Sequence, residues 1–151
     1  VSGDDAYIAA LFHDCGIPLL IMKFPKYRET VMAQCKLGKY IIDVENDIFS
    51  TSHSVVGHFL TRKWKLSPSI CNAVLHHHDP TIFISADKNL ENNVCDLICI
   101  IHMTEYIVDE HLHVRDKEWP LYEHEVLKHS GISEQEFLEL KGDILAHLNG
   151  E

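Results

Sequence analysis

Helix starts and stops recur so often along this chain that no very long element can form, and this punctuation limits the fold more than any other feature. Ser2 or Asp4 opens "SGDDAYIAALFHDCG", which Gly16 closes. "PKYRETVMAQCKLG" begins at Pro25, whose fixed φ suits a first turn, and ends at Gly38. Thr51 or Ser52 starts "TSHSVVGHFLTRKWK", which runs to about Leu66. Ser67 and Pro68 open "SPSICNAVLHHHDP", and Asp79-Pro80 terminates it. A polar loop from Thr81 to Asn92 precedes the longest helical stretch, "NNVCDLICIIHMTEYIVDEHL". "EWPLYEHEVLKHSG" and "SEQEFLELKGDILAHLNG" follow, the second with a capping box at Ser133 and Glu136. Strand-period alternation and internal repeats are absent. The pattern predicts an all-α bundle of about six to eight helices with short connections. It reads as one domain over 1–151, with a core over 1–115 and a helical tail over 116–151.

A chain of 151 residues that is 46% hydrophobic can bury a sizeable core. Its formal charge of −10 argues against a nucleic-acid partner, because phosphate contacts need a basic patch. Apolar runs such as "LICII" at 97–101 are too short to span a bilayer, so no membrane partner is expected. The opening "VSGDDAY" lacks the pattern of a signal peptide. The five cysteines are odd in number, form no C-x-x-C pair and sit in apolar helical contexts, so a reduced, cytoplasmic setting is expected.

Twelve histidines is the unusual count, and helical spacing sorts them, because positions i, i+3, i+4 and i+7 share a face. His53 falls in line with Val56, Gly57, Leu60 and Trp64, whereas His58 falls with Ser54, Thr61, Arg62 and Lys65 on a solvent face. Ile70, Ala73 and Val74 lead to His77 and His78. Glu105 sits within a line of Val94, Ile98, Ile101 and Val108. His13 follows Ala6, Ala9 and Ala10, a small-residue face that lets another helix come close. His102 and His113, with Asp109 and Glu110, read as the solvated face of an acidic helix. Six residues in four stretches therefore point inward: His13-Asp14, His53, His77-His78 and Glu105. Buried ionisable groups cost several kcal/mol each unless they are paired or bind metal. Spacing leaves two readings open, separately hydrogen-bonded core residues and a common polar or metal pocket. Imidazole and carboxylate donors suit divalent transition metals such as Fe, Mn, Zn or Ni.

With those residues in hand, the chain resembles the HD superfamily of metal-dependent phosphohydrolases and, within it, the HDOD domain. "YIAALFHDCGIPLL" is similar to the family's His-Asp segment. "STSHSVVGHFLTRKWKLSPSICNAVLHHHDP" is similar to its second block, including Gly57, Trp64 and Pro68. "LICIIHMTEYI" places Glu105 at the family's Asp position. The resemblance implies a bacterial signalling or regulatory module that binds a protein partner or a signalling ligand. It implies metal ligands at His13, Asp14, His53, His77, His78 and Glu105. It also implies an all-helical half upstream of the His-Asp motif, carrying a further histidine ligand, that this chain is expected to lack. A homodimer is compatible with such a module.

The departures from the hydrolytic relatives carry chemical meaning. Those relatives commonly place a lysine three residues after the Asp to meet the phosphate, and here that residue is Ile17, followed by Pro18. The Gly-Tyr-Pro loop of the related cyclic dinucleotide phosphodiesterases is absent from "HHHDPTIFISADKN". Glu105 is one methylene longer than Asp. The expectation is a catalytically degenerate binding module. The alternative is a metal-dependent phosphohydrolase acting on a nucleotide or cyclic dinucleotide, with Asp14 as the catalytic residue and bridging ligand.

Overall fold

Side-chain capping fixes where four of the helices begin. Ser2, Ser52, Ser67 and Ser133 each accept a hydrogen bond from the backbone N–H three residues on. The computed structural model describes residues 1–83, 92–114 and 117–150. Among these it contains nine α-helices: α1 (Gly3–Phe12), α2 (Gly16–Lys23), α3 (Tyr27–Lys36), α4 (Ile41–Phe49), α5 (His53–Lys63), α6 (Pro68–His76), α7 (Asn92–His111), α8 (Trp119–Ser130) and α9 (Glu134–Leu148). A single 3₁₀ turn, Pro80–Phe83, follows α6. The all-α class is as expected. Residues 84–91, which the sequence assigns to a polar loop, lie outside the described residues, as do 115 and 116.

Two helices, α2 and α4, were not legible in the sequence. Gly16 does not stop the first helix but starts the next one, and Pro18 sits in the first turn of α2, where a missing N–H costs nothing. Bonds of the i→i+3 type, from Cys15 N to Phe12 O and from Ile17 N to Asp14 O, tighten the junction between α1 and α2. Taken as one stretch, Gly3–Lys23 (21 residues, mean hydropathy 1.3) is long and apolar enough to cross a membrane, unlike the shorter runs weighed from the sequence. Here it is two helices, joined through His13, Asp14 and Cys15.

Three apolar clusters hold the helices together. Ala9 of α1, Ile70, Ala73 and Val74 of α6, and Val94, Leu97, Ile98 and Ile101 of α7 form the first. Leu20, Tyr27, Val31 and Val44 join α2, α3 and α4, with Ile17 packed against them. Cys99 and Ile107 of α7 join Trp119, Tyr122, Val126 and Phe137 of α8 and α9 in the third. Helix α5 lies between α2 and α6. It can do so because Gly16 and Gly57 bring the backbones together. A Cβ on Gly16 would fall 2.0 Å from the His53 carbonyl oxygen, and one on Gly57 would fall 2.9 Å from Val74 Cγ1.

Three helix-face assignments change. The buried face of α5 is His53, Ser54, Gly57 and Thr61, not the His53–Trp64 line, and Trp64 is about half exposed. Thr61 is tolerated there because its hydroxyl donates to the Gly57 and His58 carbonyls. His58 is partly buried, with Nδ1 2.9 Å from the Cys71 carbonyl. Val108 is exposed, and His102, placed on a solvated face, is buried at 2% exposure. The long helix turns its His102 side inward because α8 covers it, a contact that spacing within α7 does not reveal.

Candidate metal centre

The turn between α1 and α2, the start of α5, the end of α6 and the middle of α7 meet at one point. They bring together all six residues singled out from the sequence. Asp14 Oδ1 lies 3.3 Å from His53 Nε2 and 3.6 Å from His77 Nε2, and Asp14 Oδ2 lies 3.6 Å from His13 Nε2. His78 Nε2 is 3.0 Å from His53 Nε2, and His77 Nε2 is 3.4 Å from it. Glu105 Oε1 lies 3.2 Å from His13 Nε2. The donors form two groups that share Asp14. One is Asp14, His53, His77 and His78, and the other is His13, Asp14 and Glu105.

The opposite ring nitrogens show why the imidazoles face this way. His13 Nδ1 donates to the Ala10 carbonyl at 2.7 Å, and His77 Nδ1 donates to the Val74 carbonyl at 2.8 Å. Each acceptor is the carbonyl three residues back, so the helix end itself orients the ring. His53 Nδ1 lies 2.7 Å from Glu45 Oε2, and His78 Nδ1 lies 2.6 Å from Glu118 Oε2. Carbonyls and carboxylates accept, so the proton of each neutral imidazole belongs on Nδ1 and the Nε2 lone pair faces the centre. Acceptor nitrogens at 3.0 and 3.4 Å from one another repel unless a positive charge lies between them.

Charge follows the same geometry. Burial disfavours the imidazolium of His13, but the hydrogen bond to Glu105 and the charges of Asp14 and Glu105 outweigh it and raise the pKa to about 9. Burial together with the neighbouring imidazoles of His78, His53 and His13 pushes His77 down to about 3, against the pull of the Asp14 carboxylate. Burial opposes ionisation of Asp14, yet the close approach of His77 and the charge of His13 beside it hold its carboxyl well below the usual range. Glu105 is lowered in the same way, burial being outweighed by the His13 contact. For His78 burial is outweighed by Glu118, and the pKa rises.

Three supporting residues escaped the sequence reading. Glu45, fully buried on α4, accepts from the His53 backbone N–H at 2.8 Å, from His53 Nδ1 and from the Tyr27 hydroxyl. Its signal is visible in retrospect, since Glu45 shares a helix face with Ile41, Val44 and Ile48. His102 donates from Nε2 to the His77 carbonyl at 2.7 Å and stacks on Tyr122, which steadies the His77-His78 turn. Glu118 reaches His78 from forty residues away in sequence, and no local pattern announces it.

On one side the centre opens to a cleft of roughly 360 Å³, lined among others by Asp14, Glu105, Lys39, Lys117, Tyr40 and Val114. A second cleft of about 300 Å³ reaches His13 and Glu105 between α1 and α7, past Ala10 and Val108. Cys15 adjoins Asp14 in sequence but does not turn toward the centre, since its Sγ contacts the Gly57 carbonyl.

The HDOD domain model matches residues 1–80. That span holds His13, Asp14, His53, His77 and His78, while Glu105 lies beyond it and rests on geometry. No curated protein and no solved structure matches the chain.

Proposed function

Because the chain belongs to the HDOD domain family, we propose that it is a regulatory, signalling-type module with a divalent transition-metal centre and a cleft for a phosphorylated ligand. One observation carries this reading: the Nε2 lone pairs of His53, His77 and His78 converge beside Asp14 with their Nδ1 atoms already committed. The donor set is nitrogen and oxygen alone, which suits Mn, Fe, Zn or Ni. Asp14, His53, His77 and His78 would hold one ion, and His13, Asp14 and Glu105 a second, with Asp14 shared. When bound, such ions supply a Lewis acid for a phosphoryl oxygen.

The chain's own residues argue for access. Structural metal sites are closed, whereas Asp14 (44% exposed) and Glu105 (32%) face open clefts. Lys39 and Lys117 line the larger cleft, where either can meet a phosphate oxygen. Tyr40, Ile41 and Val114 offer an apolar wall for the organic part of the ligand.

Those lysines also favour a second reading, hydrolysis of a phosphate ester. Ile17 packs into the cluster of α2, α3 and α4, so the cation missing there is offered from the cleft instead. Inorganic phosphate and a chromogenic phosphodiester, each with manganese-loaded protein, test both readings. The regulatory reading expects phosphate binding that Asp14→Asn abolishes and that Lys39→Ala with Lys117→Ala weakens, without turnover. Turnover that disappears in Asp14→Asn selects the second reading, and no phosphate binding by the loaded protein overturns both.

A further inference from the structure

Helices α8 and α9 lie wholly outside the family match, and the residue just before α8, Glu118, stands against the metal centre. Glu118 immediately precedes α8 without capping it, and its Oε2 stands 2.6 Å from His78 Nδ1. Both sides of this residue are anchored. Lys117 Nζ donates to the Cys35 carbonyl at the end of α3, at 2.6 Å. Trp119 is buried, with its ring stacked on Tyr106 and Phe137 at centroid distances of 4.7 and 4.9 Å. The carboxylate is therefore held by packing on one side and a polar tether on the other, and it is one-fifth exposed at the edge of the cleft.

We propose that Glu118 is a positioning residue for His78, so that the C-terminal helices complete the metal centre rather than merely cover it. The proposal rests on the metal reading above. An imidazole ligand that lacks a fixed acceptor on its far nitrogen loses both its tautomer and its ring orientation, and loss of such a partner typically costs 10–100-fold in metal affinity. Among the four inward imidazoles, His13 and His77 take their acceptor from their own helix turn. His53 takes its from α4, inside the family match. His78 alone of the four depends on a residue from beyond Pro80.

The test is titration of the full chain with cobalt(II), whose visible absorption reports ligand geometry, for wild type, Glu118→Gln, Glu118→Ala and Leu127→Ala. Leu127 belongs to the apolar cluster of α8 and α9 and touches no ligand. Glu118→Gln is expected to bind about tenfold more weakly and Glu118→Ala up to about a hundredfold, each with a shifted absorption band. Leu127→Ala is expected to unfold at lower temperature with its cobalt spectrum unchanged. Wild-type affinity and spectrum in both Glu118 variants would overturn the inference alone. So would an equal spectral shift in Leu127→Ala, which would make the role structural. Failure of the wild type to bind cobalt would overturn the metal reading and this inference with it.

Discussion

Replacing Glu45 by alanine is expected to destabilise the fold by about 3–5 kcal/mol, because it strands three buried hydrogen-bond donors at once. Glu45 has no exposed surface and serves three donors: the Tyr27 hydroxyl, the His53 backbone N–H and His53 Nδ1. The methyl group of alanine satisfies none of them. Each buried donor left without an acceptor costs about 1–3 kcal/mol, and water entering the gap recovers part of that sum. For a chain of this size the loss corresponds to a fall in Tm of roughly 6–20 °C. Glu45→Gln keeps one acceptor oxygen but presents an NH₂ group to a donor, so a fall of about 1–2 kcal/mol is expected. Urea denaturation of the three proteins checks the order. A Glu45→Ala protein as stable as the wild type would show that the carboxylate does not hold α4 to α5.

Gly16→Ala is expected to be nearly as damaging, and for a different reason. The added Cβ would lie 2.0 Å from the His53 carbonyl oxygen and 2.9 Å from the Gly57 nitrogen. These are backbone atoms, and no rotamer change moves them. Helices α2 and α5 must separate, at a cost of about 3 kcal/mol or more. Asp14 and His53 flank this contact, so their 3.3 Å approach is lost with it, and metal affinity falls together with stability. Gly57→Ala meets Val74 Cγ1, a side-chain atom that can give way, and about 1–2 kcal/mol is expected. Gly142→Ala in α9 meets nothing within 4 Å and is expected to stabilise by up to about 1 kcal/mol. Thermal unfolding of the three alanine variants reads out both magnitude and sign. A Gly16→Ala protein that unfolds at the wild-type temperature would contradict the close crossing of α2 and α5.

The sequence reveals whatever is local. Ser2, Ser52, Ser67 and Ser133 announce helix starts because a cap bonds only three residues onward, and the structure keeps all four. His13, His53 and His77 turn inward because their neighbours one turn away are apolar or small. What the sequence conceals is set by distant partners. Gly16 reads as a stop, yet its role is to admit the His53 backbone from another helix. His102 reads as solvated because the ring that covers it, Tyr122, belongs to α8. Glu45 and Glu118 are ordinary surface types whose burial depends on imidazoles 8 and 40 positions away. The resemblance read from the sequence runs on to residue 107, while the family match ends at Pro80, so the place of Glu105 is a matter of geometry.

Calorimetric titration of chelator-stripped protein with manganese or zinc near neutral pH, repeated in buffers of different ionisation enthalpy, tests the metal centre most directly. His13 has its pKa raised to about 9, so in the empty site it carries a proton at neutral pH, and an ion that uses Nε2 must displace that proton. The account predicts saturable uptake with heat that varies with buffer, both abolished in Asp14→Asn, and less proton release above pH 9 as His13 becomes neutral beforehand. A stripped wild-type protein that folds normally and takes up neither metal would contradict it.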